Sequence, residues 1–200
     1  MFEMFENLTE ADVEEIDKLL WLSSPAFKRN PAKHEMLYAE AVRIGKETAI
    51  KYPVKIGDTA FSLEEFGVSG VEFFNRDRGD RAYYMPDERK IYINQSFVSE
   101  MADYFKSLGN AYFTADIIMK GLLLHELYHH IEENLTQPTD SLLKNMHNVV
   151  VPPVYRDIAA FAFVNALIPK MTCQLIDVFW LRKHCFEKFE VIERKISDVN

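Results

Sequence analysis

The sequence predicts an α+β fold, mainly helical, with a small antiparallel or mixed sheet of about three strands. Apolar residues recur at helical spacing over both ends of the chain, whereas the stretch from Val54 to Gln95 breaks into short apolar runs separated by Gly57, Gly67, Gly70, Gly79 and Pro86. Prolines and capping residues then punctuate the long runs into separate helices.

Thr9 and Asp12 precede Val13, Ile16, Leu19 and Leu20, which predicts a capped amphipathic helix over 9–22, ended by Ser23-Ser24-Pro25. Pro31 opens a second helix that reaches Tyr52 and stops at Pro53, with Met36, Leu37, Ala41, Val42 and Ile44 on its apolar side. His34, in the opening turn, is expected to face solvent. Three strands follow, at 71–74, 81–85 and 90–94, and Pro86-Asp87-Glu88-Arg89 supplies the turn that makes the last two an antiparallel hairpin. The mixed charges of Asn75-Arg76-Asp77-Arg78-Gly79-Asp80 suit a solvated loop.

Ser96 to Lys106 forms a helix broken by Gly109-Asn110, and another runs from Thr114 to Ile131. Apolar residues occupy nearly the whole circumference of the latter, which marks it as central and buried. A short helix at 141–146 lies in a polar connection. Tyr155 to Ile168 is a second buried helix, entered after Pro152-Pro153 and ended by Pro169, and a single last helix covers 171–196. We group these elements as one domain over 1–200: N-terminal helices (1–53), sheet and central helices (54–169), and a C-terminal helix (170–200).

A chain of 200 residues with 48% apolar content can bury a sizeable core, roughly 70% of its unfolded surface. Its net charge of −8 weighs against nucleic-acid binding, since a phosphate-binding face needs clustered Lys and Arg. No run is apolar and long enough to cross a bilayer, and the first residues show no basic-then-apolar leader, so the expectation is a cytoplasmic protein without membrane contact. Cys173 and Cys185, twelve apart, match neither a disulfide framework nor a zinc knuckle. Nothing in the sequence sets the oligomeric state.

The chemistry concentrates in Leu122-Leu123-Leu124-His125-Glu126-Leu127-Tyr128-His129-His130. On a helix, His125 and His129 lie on one face, so both imidazoles can reach a single ion, and Glu126 sits about 100° round the axis. Two histidines, a third protein ligand and a water make a hydrolytic zinc site, because Zn2+ lowers the pKa of water to about 7 and the glutamate can accept its proton. The alternative is a pair of ordinary core or surface histidines. A shuffled chain of this composition would contain the spacing in roughly one or two cases per hundred.

The next long helix is the natural source of a third ligand, and Asp157, 28 residues beyond His129, is the choice; the alternative is a carboxylate favoured by the helix dipole. Ala159, Ala160 and Ala162 would let that helix approach the motif helix closely. His147, Asp140, Glu132 and Glu133 compete for the role, but the glutamates lie too close to His129 on the same helix. Tyr128, Tyr155 and His147 are candidates for hydrogen-bonding an oxyanion, and His130 for touching a ligand or facing solvent. Packing roles are the alternative for the tyrosines. His184 is expected to be solvated.

His125-Glu126-Leu127-Tyr128-His129-His130, then Asp157-x-x-Ala160-x-x-Phe163 and Leu167-Ile168-Pro169, resemble the minimal zincin metallopeptidases of the ImmA/IrrE type, which are gluzincin-like. The strand Lys90-Ile91-Tyr92-Ile93-Asn94 is similar too, and the resemblance covers roughly 82–169. It implies a zincin-like domain and a zinc-dependent peptidase acting on a protein or peptide substrate. His125, His129 and Asp157 would hold the metal and Glu126 would be the proton acceptor. The family usually has glutamate where Asp157 stands, and related gluzincins carry an aspartate where this chain has Phe161, which leaves the partner of the ligating imidazoles unassigned. A catalytically silent zincin-fold binding or regulatory module, with a structural or vestigial metal site, is the alternative.

Overall fold

The computed structural model describes residues 10–22, 27, 30–55, 63–76, 80–171 and 173–197. The expected Thr9 cap and the Ser23-Ser24-Pro25 stop lie outside the described residues, as does the 77–79 part of the charged loop. Described elements run in the order α1 (Glu10–Leu22), α2 (Pro31–Lys51), a 3-10 turn (Leu63–Phe66), β1 (Gly70–Phe74), β2 (Ala82–Met85), β3 (Lys90–Asn94), α3 (Gln95–Ser107), α4 (Ala115–Asn134), α5 (Thr139–His147), α6 (Val154–Leu167), α7 (Cys173–His184) and α8 (Phe186–Ser197). The fold is α+β and mainly helical, with a three-stranded mixed sheet.

The sheet order is β1-β3-β2, with β1 parallel and β2 antiparallel to the central β3. The turn 86–89 makes the hairpin, while the link from β1 to β2 carries β2 past β3. Alternation along β3 buries Ile91 and Ile93 against the helices, and α4 packs against β2 and β3. Asn94 ends β3 and begins α3: its side-chain oxygen accepts from the amides of Phe97 and Arg76, and its NH2 donates to the carbonyls of Arg76 and Asp80. Its own amide donates to Arg81 O at 2.9 Å, so Arg76, Asp80, Arg81 and the first turn of α3 are tied through one buried residue.

Helix α4 starts at Thr114, whose hydroxyl accepts from Ile117 N, and its Ile118, Leu124, Leu127 and Ile131 are completely buried. Helix α6 packs on both α2 and α4. The alanines do their work at α2: a Cβ on Gly45 would stand 2.1 Å from Ala159 O and 2.9 Å from the Ala162 methyl, so α2 and α6 meet backbone to backbone there. Ala159 and Ala162 therefore serve the approach to α2, rather than to the motif helix as expected.

Two further expectations change. His34 is buried, because Nδ1 pairs with the Tyr155 hydroxyl at 2.7 Å and the ring packs on Phe27. The single C-terminal helix is two, α7 and α8, parted at Cys185, whose amide still bonds to Leu181 O. His184 is exposed as expected and pairs with Glu100 at 2.7 Å.

Candidate metal centre

The i, i+4 spacing on α4 brings His125 Nε2 and His129 Nε2 to 3.2 Å, both 3.6 Å from Asp157 Oδ1 in the first turn of α6. One ligand atom from each of these three residues lies within 4.8 Å of the others. Nitrogen and oxygen ligands about 2.0–2.2 Å from a tetrahedral ion stand roughly 3.3–3.5 Å apart, so the observed triangle has the edges that such an ion requires. The donor set, two imidazoles and a carboxylate, is likewise one that zinc takes.

The partner that the sequence left unassigned is Glu132. It lies three residues after His129 on the same face of α4, and its Oε1 accepts from His129 Nδ1 at 2.8 Å. That bond puts the proton on Nδ1 and leaves Nε2 as the ligand atom. Glu132 is 1% exposed and fully engaged: Arg156 Nε donates to Oε1 at 2.7 Å, and the amide and hydroxyl of Thr139 donate to Oε2. Burial alone would raise its pKa, but His129, Thr139 and Arg156 hold it below the usual carboxylate range. Arg156 also pairs with Glu133, so the two glutamates rejected as ligands have other partners.

Burial would lower the pKa of His129, yet the bonds to Asp157 and Glu132 and the nearby Glu126 push it up to about 9. Asp157 is raised by burial, but both histidines hold it well below the usual range. Three carboxylates thus favour a positive charge between the two rings, which a proton or a divalent ion can satisfy. Glu126 is buried at 8% exposure. His125 packs its ring on Phe161, with centroids 4.8 Å apart, and among the described residues its buried Nδ1 meets no hydrogen-bond partner.

The other sequence candidates have separate roles. Tyr128 is buried with its hydroxyl 2.6 Å from Thr139 Oγ1, behind Glu132. Tyr155 belongs to His34. His130 is 1% exposed and neither touches a ligand nor faces solvent; Nε2 donates to Phe66 O at 2.7 Å and Nδ1 pairs with the Tyr84 hydroxyl, tying α4 to the sheet. His147 ends α5, half-buried and outside the metal-competent cluster, and Asp140 accepts from the amide of Ser141.

A cavity of about 320 Å³ opens beside Asp157 and Phe161. Leu20, Trp21, Val178 and Leu181 give it an apolar wall; Arg81 and Asp177, paired at 2.7 Å, give it a charged one. No local sequence signal marks either as a site residue: Arg81 precedes a strand and its partner lies on a distant helix.

No family model matches the chain, and no curated protein or solved structure matches it. No helix among the described residues is long and apolar enough to cross a membrane.

Proposed function

We propose that the chain is a zinc-dependent peptidase of the minimal zincin type, hydrolysing a peptide bond of a protein or peptide substrate. The observation that carries this reading is the Nε2, Nε2, Oδ1 triangle with Glu126 adjacent in sequence to one ligand. His125, His129 and Asp157 would hold the ion. Bound there, zinc supplies Lewis acidity and a water acidic enough to deprotonate near neutral pH.

The residues of the chain then divide the work. Glu126 accepts the proton from the attacking water and passes it to the leaving amine. Glu132 holds His129 in one tautomer, and Arg156 and Thr139 keep Glu132 ionised and fixed. Among the described residues strand β2 is an edge of the sheet lying against α4, suited to pairing with an extended peptide, which selects backbone over sequence.

Replacing Glu126 by Gln is expected to leave one zinc per chain, by metal analysis of purified protein, and to abolish peptide cleavage. Cleavage by Glu126→Gln at the wild-type rate refutes the assignment. The unpartnered Nδ1 of His125 favours a second reading, a silent module with a structural metal, since a ligating imidazole usually donates its other N–H. Chelation separates the two: loss of folding from a protein that cleaves nothing supports the module.

A further inference from the structure

If the peptidase reading holds, a carbonyl oxygen that gains negative charge during attack needs a donor; Tyr128 and Tyr155 are bonded to Thr139 and His34, and His147 ends α5 outside the metal-competent cluster. The cavity beside Asp157 contains another. Arg81 stands one residue before β2, its carbonyl fixed by the amide of Asn94, and its Nη1 donates to Asp177 on α7 at 2.7 Å. Its side chain is 31% exposed and that of Asp177 39%.

We propose that Arg81 is a catalytic residue that donates to the substrate carbonyl oxygen at the metal centre, with Asp177 as its positioning residue. Three observations converge on it. Arg81 and the ligand Asp157 line one cavity of about 320 Å³, the size of an ordinary ligand site. Arg81 stands at the start of β2, an edge strand among the described residues, so a peptide paired along β2 would pass it. The apolar wall of Leu20, Trp21, Phe161 and Val178 accommodates a side chain while a carbonyl turns to the charged wall. A guanidinium serves two acceptors at once, so the Asp177 bond can orient Arg81 without excluding substrate.

Electrostatics agree. Burial and the nearby Asp157 hold Asp177 above the usual carboxylate range, against the pull of Arg81 and His125, so Asp177 shares the environment of the metal ligands. The competing role is a purely structural tie between the strand end and α7.

The test compares wild type, Arg81→Met, Arg81→Lys and Asp177→Asn as zinc-loaded full chains, with kcat and KM on a peptide that wild type cleaves from a synthetic library. It also measures equilibrium binding of a phosphinic peptide with Phe and Leu flanking the phosphinate, and, in a Glu126→Gln background, of the matching amide peptide. Arg81→Met should lower kcat by about 100–1000-fold with little change in KM, and weaken the phosphinic peptide far more than the amide. Arg81→Lys should recover part of the rate, Asp177→Asn should lose about tenfold, and zinc content should stay at one per chain. A raised KM at unchanged kcat, or equal weakening of both ligands, overturns the role. Wild-type cleavage with an equally active Arg81→Met sinks Arg81 but leaves the peptidase. Arg81-dependent phosphinic binding by a chain that cleaves nothing keeps the donor and removes the peptidase. Neither binding nor cleavage removes both. Should Arg81→Met fail to fold, Arg81→Lys and Asp177→Asn decide the matter by the same two readouts.

Discussion

Helix α6 meets α2 and α4 by opposite physical means. Against α2, at Gly45, the contact is close and built from small residues, Ala159 and Ala162, so that its strength there is packing, beside the His34–Tyr155 hydrogen bond at the helix starts. Against α4 the same helix contributes Arg156 and Asp157 to a polar network with His125, His129, Glu132 and Glu133, in which every charge must keep its partner. One helix therefore carries a fastening face and, in its first turn, a chemical end. The close contact fixes the position of α6, and the ionic contact uses that position to present a carboxylate to two imidazoles.

The polar contact should be the easier one to damage severely. Glu132→Ala leaves Arg156 and the Thr139 amide without a buried acceptor and frees the His129 ring, and breaking a buried ion pair costs about 3–5 kcal/mol. Zinc affinity should fall about 10–100-fold with it. Thermal melts and competition with a chromogenic chelator measure both; unchanged zinc affinity would mean that something else orients His129.

Damage to the close contact at Gly45 should be purely mechanical. Gly45→Ala drives a methyl into the Ala159 carbonyl and should cost about 1–3 kcal/mol by urea midpoint, with zinc affinity in the folded protein unaltered. A weakened zinc site in that variant would show that the two faces of α6 are coupled.

Burial itself is tested by a second histidine–carboxylate pair of almost the same length. His184 and Glu100 stand 2.7 Å apart, but on partly exposed surface, with Lys183 also on Glu100. Burial raises Glu100, but Lys183 and His184 outweigh it and hold its pKa below the usual value. A depressed carboxylate stabilises the fold above its unfolded pKa of about 4.3 and loses that contribution as pH falls through its lower folded value. Glu100→Gln should therefore cost less than about 1 kcal/mol at pH 7 and nothing once both pKa values are passed. A Tm deficit that persists undiminished at strongly acid pH would contradict the pairing.

The sequence made the helices and hairpin legible because each rests on local signals: Pro31, Thr114 and Pro169 as boundaries, Pro86 to Arg89 as a turn. His125, His129 and Asp157 were legible for a related reason, since acids and imidazoles on all-round apolar helices need a common partner. What escaped depends on contacts between distant residues. His34 looked solvent-facing until Tyr155 and Phe27 closed over it, and nothing near Arg81 points to Asp177. Glu132 was close enough in sequence to find: i, i+3 spacing suits it to holding the ring of His129 and not to sharing its ion. The break at Cys185 carries neither glycine nor proline, so no local residue announces that the last helix is two.

Asn94 has a dynamic consequence. Because the side chain and amide of Asn94 together join the cap of α3, Arg76 and the Asp80–Arg81 strand end, these three parts are not expected to loosen independently. Opening any of them frees several amides at once, so the region behaves as a single cooperative unit in hydrogen exchange. Arg81 is thereby tied directly to the end of the central strand, which would steady its guanidinium.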